Sequence, residues 1–194
     1  MFVMTIDQRR SRRDRDRVDD ARERLGHLAW VRPPERTAGD ELQAVSDSAE
    51  TVVSATLLLL RDRHWSVGIG AGRVDTPLPD QTRAGRGPAF EAARDAVTAA
   101  KSAPVPVQVR GPRTDECARA EAILSVVGFI VGRRSPQGGE VVALMDTGLT
   151  QTAAAERLGI SKQAVSQRLA AAGYPVEPAA RDLARHLLDL AGSP

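Results

Sequence analysis

The stretch Leu149 to Gly173, LTQTAAAERLGISKQAVSQRLAAAG, constrains this chain more than any other. It carries one acid and no histidine, cysteine or aromatic residue. The spacing predicts a short helix over Gln151–Leu158, with Ala155 and Leu158 turned inward. Gly159 stands where a sharp turn needs left-handed backbone. Ile160 is expected to plug the corner, and Ser161 to cap a second helix, Lys162–Ala171, with Val165 and Leu169 inward. Ala155 has to be small because the second helix crosses close to it. Small residue, Gly, β-branched corner, then Val and Leu make up the pattern of a helix-turn-helix.

That pattern resembles the phage repressor and Cro group and many bacterial regulators. In such a unit the outward N-terminal part of the second helix enters the major groove of double-stranded DNA. Here it offers Ser161, Lys162, Gln163, Ser166 and Gln167, able to hydrogen-bond base edges. Arg168 lies further round, suited to a phosphate, and Thr150 and Gln151 at the start of the first helix can do the same. Val141, Val142, Leu144 and Met145 predict a preceding helix that completes a three-helix core. Ala179–Leu190 predicts a last helix, which covers the core or forms a dimer contact. An αα-hairpin that only packs, and a helix-turn-helix that binds protein, are the competing readings. Lys and Arg number 27 against 25 Asp and Glu, a net +2, so any basic surface must be local.

The rest of the chain alternates. Phe2–Ile6 reads as a buried strand ending at Asp7 and Val18–Trp30 as a helix. Residues 30–37, with two prolines, make an edge strand at best. Gly39-Asp40 is a turn before a strand over Leu42–Val45. Ser46 or Ser48 caps a helix through Leu60, Trp65–Val74 is a strand, Ala89–Lys101 a helix and Val105–Val109 a strand. The order β-α-β-β-α-β suggests an α+β, ferredoxin-like sandwich. From Thr114 to Arg134 a long helix is expected, with Ala118, Ile123, Val126, Val127 and Ile130 as its apolar stripe. These readings divide the chain into an α+β domain over 1–112 and a helical domain over 113–194.

Asp7 and Asp40 stand out as carboxylates that a β-α-β-β sheet would bring side by side. They are candidate Mg²⁺ ligands for a nucleotide triphosphate, with arginines from the Arg9–Arg13 cluster and a helix N-terminus receiving the phosphates. This layout resembles the class III nucleotidyl cyclases, with a first-strand Asp and a hairpin Gly-Asp, and weaker likeness in VGIGAGRV and GPAFEAAR. A closer resemblance is to the SatD-like family, which shares the first-strand Asp with a following Ser-Arg, the GDE hairpin, the VGIGAG strand and the GPAF helix. That family often ends in a helix-turn-helix. The cyclase resemblance implies metal binding at Asp7 and Asp40 and charge stabilisation by Arg94; Arg9, Ser11 and Arg12 are further ligand-site candidates. Two departures predict a degenerate site: Phe90 stands where cyclases carry an Asn, and Glu35-Arg36 where they carry a base-reading Lys. Gly68, Gly70 and Gly72 alternate within a strand, which predicts close backbone approach rather than a phosphate loop. His27, His64 and His186 share no motif.

The lone Cys117 fits a reducing compartment, and no segment has the length of a membrane span or the form of a signal peptide. The expectation is a cytoplasmic, homodimeric DNA-binding transcriptional regulator. Its degenerate cyclase-like domain would sense a small-molecule or nucleotide effector or hold the dimer. The alternatives are a metal-dependent nucleotide-processing enzyme using Asp7 and Asp40, and a protein-interaction adaptor.

Overall fold

The computed structural model describes residues 1–37 and 39–193. It is an α+β structure with one five-stranded mixed sheet and eight α-helices. The order is β1 (Phe2–Gln8), α1 (Val18–Leu25), β2 (Arg32–Arg36), β3 (Glu41–Ser46), α2 (Ala49–Asp62), β4 (Trp65–Ala71), α3 (Pro88–Ala100) and β5 (Val107–Arg110). Then follow α4 (Thr114–Gly132), α5 (Pro136–Asp146), α6 (Gln151–Leu158), α7 (Lys162–Ala171) and α8 (Glu177–Gly192).

The strands lie in the order β2-β3-β1-β4-β5. The first three pairings are antiparallel, and β5 joins β4 in parallel through α3. β2 survives its two prolines because it is an edge strand. Its register slips between Arg32 and Glu35, so Pro33 and Pro34 sit in a bulge where no ladder donor is required. α1 stops at Leu25, earlier than the periodicity predicts. Gly26 follows, and Trp30 folds back to donate its indole N–H to the Leu25 carbonyl at 2.8 Å. Ser48 rather than Ser46 caps α2, accepting from the Thr51 amide.

Alternation along the strands divides the core. Phe2, Met4, Ile6, Leu42, Trp65, Val67, Ile69, Val107 and Val109 face α1, α2, α4 and α8. The opposite face carries Val3 and Val45 under α3, packed on Ala89, Phe90 and Ala93. Gly68 and Gly70 bring α3 down onto this face. A Cβ on Gly68 would lie 2.2 Å from the Val97 nitrogen, and one on Gly70 2.0 Å from the Ala89 oxygen. This is the close approach that the alternating glycines predict.

The apolar stripe of α4 is rotated from the expected one. Cys117, Ala120, Leu124, Val127, Gly128 and Val131 are buried, whereas Ala118 is exposed and Val126 is 55% exposed. The helix is apolar on most of its circumference, so period alone does not choose a face. Small residues choose it: a Cβ on Gly128 would meet the Leu60 Cδ1 at 2.4 Å. Through this stripe α4 joins the sheet core, as does α8 through Ala184, Leu188 and Ala191. Only α5, α6 and α7, with the turns that follow them, build a second core, from Val141, Val142, Ala154, Ala155, Val165, Leu169 and Ala172. The change of core therefore comes after α4, not near residue 112.

Gly70→Ala should cost ~1–3 kcal/mol, because its methyl meets helix backbone that cannot yield without lifting α3. A shift of the urea midpoint with an unchanged slope checks it.

Candidate functional site

Two regions hold the residues singled out by sequence. The first is the unit α5–α7. Thr150 caps α6 by accepting from the Ala153 amide at 3.2 Å, and Ser161 caps α7 by accepting from the Ala164 amide at 3.1 Å. Both helices are short, so these caps offset amides that packing does not reach. Gly159 adopts φ 64° and ψ 33°, and the Ile160 amide returns to the Ala155 carbonyl at 3.1 Å. Ala154 and Ala155 lie buried against Val165 and Leu169, and Leu158 and Ile160 close the sides. Ala154 is an inward residue that the periodicity did not single out.

Inward packing of Val165 and Leu169 turns Lys162, Gln163, Ser166 and Gln167 outward, and all four are exposed. Gln163 and Gln167 stand one turn apart on that face. Thr150 and Ser161 are exposed at their caps; Gln151 and Arg168 are half-buried. Residues 159–173 contain no carboxylate. Among the described residues neither Lys162 nor Arg168 has an ion-pair partner.

The second region is the end of β1. Asp7 pairs with Glu41 across β1 and β3, and the Gln8 amide donates to the Asp40 carbonyl at 3.1 Å. Asp7 and Asp40 are thus neighbours, as the sheet order requires. The other candidates do not join them. Arg94 is exposed on α3 and lines a cleft with Asp75, Arg86 and Glu91. Ser11 and Arg12 lie in a 3-10 turn, and Arg9 lines clefts beside the ends of α2 and α4. Asp7 is held by Lys101, whose ammonium donates to Oδ1 at 2.7 Å. Lys101 follows α3, seven residues beyond Arg94 and so ~10 Å further along the helix axis. A Mg²⁺ ion at Asp7 would have to displace that ammonium. Among the described residues, no three His, Cys, Asp or Glu side chains gather to hold a metal. This arrangement does not fit a metal–triphosphate centre. Phe90 packs its ring under Gly85 in the core of the α3 face and forms part of the wall of the Arg94 cleft, where it offers no hydrogen bond.

Cys117 is buried, and burial raises its thiol pKa, so the thiol stays protonated and unreactive.

Sequence reasoning missed the joint between the two regions. Arg134, just past α4, donates Nε–H to the Ala172 carbonyl at the end of α7 at 2.9 Å and pairs with Glu177 at the start of α8. Both side chains are nearly fully buried, at 5% and 7% exposure. Arg181 reaches the other Glu177 oxygen at 2.9 Å. Arg61, near the end of α2, donates to the Gly139 carbonyl in α5. Asp146, at the end of α5, has its pKa raised, first by desolvation and then by repulsion from Glu177. A hint was the adjacent Arg133-Arg134 ending an apolar helix, but nothing local names Glu177 as partner.

Comparisons with protein-family models, with curated proteins and with solved structures find no match to this chain. Among the described residues no helix is long and apolar enough to cross a membrane.

Arg134→Ala should cost ~3–5 kcal/mol by stranding the buried Glu177 carboxylate, less whatever Arg181 recovers. Arg134→Met with Glu177→Leu should be close to neutral; chemical denaturation measures both. The folded state holds the Asp146 proton more tightly than the unfolded chain does. Its contribution is therefore full below pH 3.8 and is lost as pH rises through the raised folded pKa. Asp146→Asn should remove that loss, seen as a flatter dependence of stability on pH across this window.

Proposed function

We propose that the protein is a DNA-binding transcriptional regulator in which α5–α7 form a helix-turn-helix and α7 reads the major groove. One observation carries this reading: the exposed N-terminal half of α7 presents Lys162, Gln163, Ser166 and Gln167 with no acid among them, on a helix fixed by the Gly159 turn and two side-chain caps. Gln suits the adenine edge and Lys the guanine edge. Arg168 and the N-terminus of α6, with Thr150 and Gln151, suit flanking phosphates.

The sheet body acts in this proposal as the sensor or dimerisation module. The β2-β3-β1-β4 order with α1 and α2 on one face agrees with a ferredoxin-like sandwich of the kind that SatD-like and cyclase-like proteins suggest. The capture of Asp7 by Lys101 argues for a degenerate site and against the enzymatic reading. A two-fold homodimer supplies the second half-site that a single short helix lacks. Val126 on α4 and Leu183 on α8 leave apolar surface for it, at 55% and 46% exposure. The single protonated thiol suits the cytoplasm.

The test is selection of a bound sequence from random duplexes, followed by titration of variants. Gln163→Ala should lower affinity by ~1–3 kcal/mol and relax one base position. Val165→Ala should instead lower stability by ~1–3 kcal/mol by opening a cavity. If Gln163→Ala and Gln167→Ala both stay folded and leave affinity and base preference untouched, α7 is not the reader.

A further inference from the structure

The near-neutral chain hides a concentration of unpaired arginine. Arg9, Arg10, Arg13 and Arg63 line one open cleft of about 760 Å³ with Asp14, Asp62 and His64. Both acids are spoken for. Asp14 pairs with Arg17 at 2.8 Å and lies 3.3 Å from His64, and Asp62 pairs with Arg24. Among the described residues the four lining arginines have no carboxylate partner. Arg9 and Arg63 also line the adjoining cleft, together with Arg133. Arg133 lies over the Phe129 ring, 4.9 Å from its centre. The result is a band of five arginines over two adjoining clefts: Arg10 and Arg13 at one, Arg133 at the other, and Arg9 and Arg63 shared by both.

The band is built rather than loose. Gln8 is buried and grips the following loop with both amide atoms, donating to the Arg15 carbonyl at 2.7 Å and accepting from the Arg17 amide at 2.9 Å. The Arg9 amide donates to the His64 carbonyl at 2.7 Å, which ties the β1 loop to the end of α2. Arg10 and Arg63 are the described non-glycine residues with left-handed backbone, at φ 59° and 63°. Non-glycine residues in this conformation are uncommon and cluster at ligand-binding and switch regions.

Its position connects it with α7. Arg133 adjoins Arg134, whose guanidinium bonds the Ala172 carbonyl at the end of α7. Three residues then lead to Pro136 at the start of α5, a reach of at most ~11 Å. Gly138 of α5 in turn lies against Ala172 and the Arg168 backbone. Five guanidiniums over two adjoining clefts exceed what one compact anion needs and suit the repeating charges of a duplex backbone.

We propose that the Arg13–Arg10–Arg63–Arg9–Arg133 band is a second DNA contact, binding backbone phosphates beside the segment read by α7. This rests on the DNA-binding reading above. The band supplies affinity without base preference, because phosphates carry no sequence information.

The phosphate contribution does not depend on sequence, so the test uses a short duplex of arbitrary sequence and needs no known operator. Affinities of the full-length wild type, of Arg10→Gln, Arg13→Gln, Arg63→Gln and Arg133→Gln, and of the quadruple variant are measured between 50 and 200 mM salt. Glutamine keeps the side chain long and leaves the backbone requirement at residues 10 and 63 as it was. Each contact removed should make the log–log salt slope shallower by ~0.9, narrowing the affinity ratio across this range by roughly 3.5-fold. Arg86→Gln, exposed on another part of the surface, should leave the slope alone. On a selected site the quadruple variant should keep the base preference that Gln163→Ala relaxes. A folded quadruple variant with the wild-type slope overturns the proposal, even if Gln163→Ala shows that α7 reads DNA. So does saturable binding of inorganic tripolyphosphate that the quadruple variant loses while its DNA slope is unchanged; the band is then a small-polyphosphate site. If the band variants lose DNA and the α7 variants do not, the band stands and the α7 reading falls. No duplex binding by the wild type at 50 mM sinks both.

Discussion

The orientation of α5–α7 on the sheet body is directed by one buried ion pair, Arg134 with Glu177. Arg134 leaves the end of α4, Glu177 begins α8, and between them the chain makes the whole three-helix excursion and returns. Both flanking helices belong to the sheet core, so the pair closes the base of an inserted unit. Two buried charges cost much desolvation, and a hydrophobic pair of similar volume would often hold the base as firmly. What the ionic pair adds is direction. The guanidinium spans the Ala172 carbonyl and the Glu177 carboxylate together, fixing where α7 ends relative to α8. Gly173, at φ 69°, turns the chain between them, against Ile130 of α4.

On the far side of the sheet the governing constraint is the absence of side chains. Gly68 and Gly70 let α3 sit with its backbone against β4, and Ala89, Ala93, Ala96 and Ala100 are buried small residues that keep it there. This seating carries Lys101, just past the helix end, onto Asp7. The same geometry that packs the face therefore neutralises the carboxylate that a metal site would need.

Legibility followed range. The α6–α7 turn was readable because Thr150, Gly159, Ser161, Val165 and Leu169 act within a few residues of one another, through caps, a left-handed turn and helical period. The sheet glycines were readable from their alternation within one strand, although the helix they admit lies about twenty residues on. The stripe of α4 was not, because that helix is apolar nearly all round and Gly128 chose its face by fitting Leu60. Lys101 with Asp7 and Arg134 with Glu177 were invisible because each pair is made by the fold, across long stretches of chain. In an arginine-biased chain the lone Lys101 of the first hundred or so residues was the single available hint.

The two strained arginines tie local backbone to long-range charge. A left-handed conformation costs a side-chain-bearing residue ~1–2 kcal/mol that glycine escapes. Arg63 ends α2 in the conformation where glycine commonly stands, and Arg10 leads into the 3-10 turn in the same way. Packing gives no reason for arginine at either position, since both side chains are exposed and neither meets a carboxylate among the described residues. The neighbouring acids, Asp14 and Asp62, are meanwhile held by Arg17 and Arg24. Around these clefts the acids Asp14 and Asp62 are paired while, among the described residues, Arg9, Arg10, Arg13 and Arg63 are not, so a nearly neutral chain carries a locally positive surface there. Such an arrangement gives a local attractive field without the self-repulsion of a high overall charge.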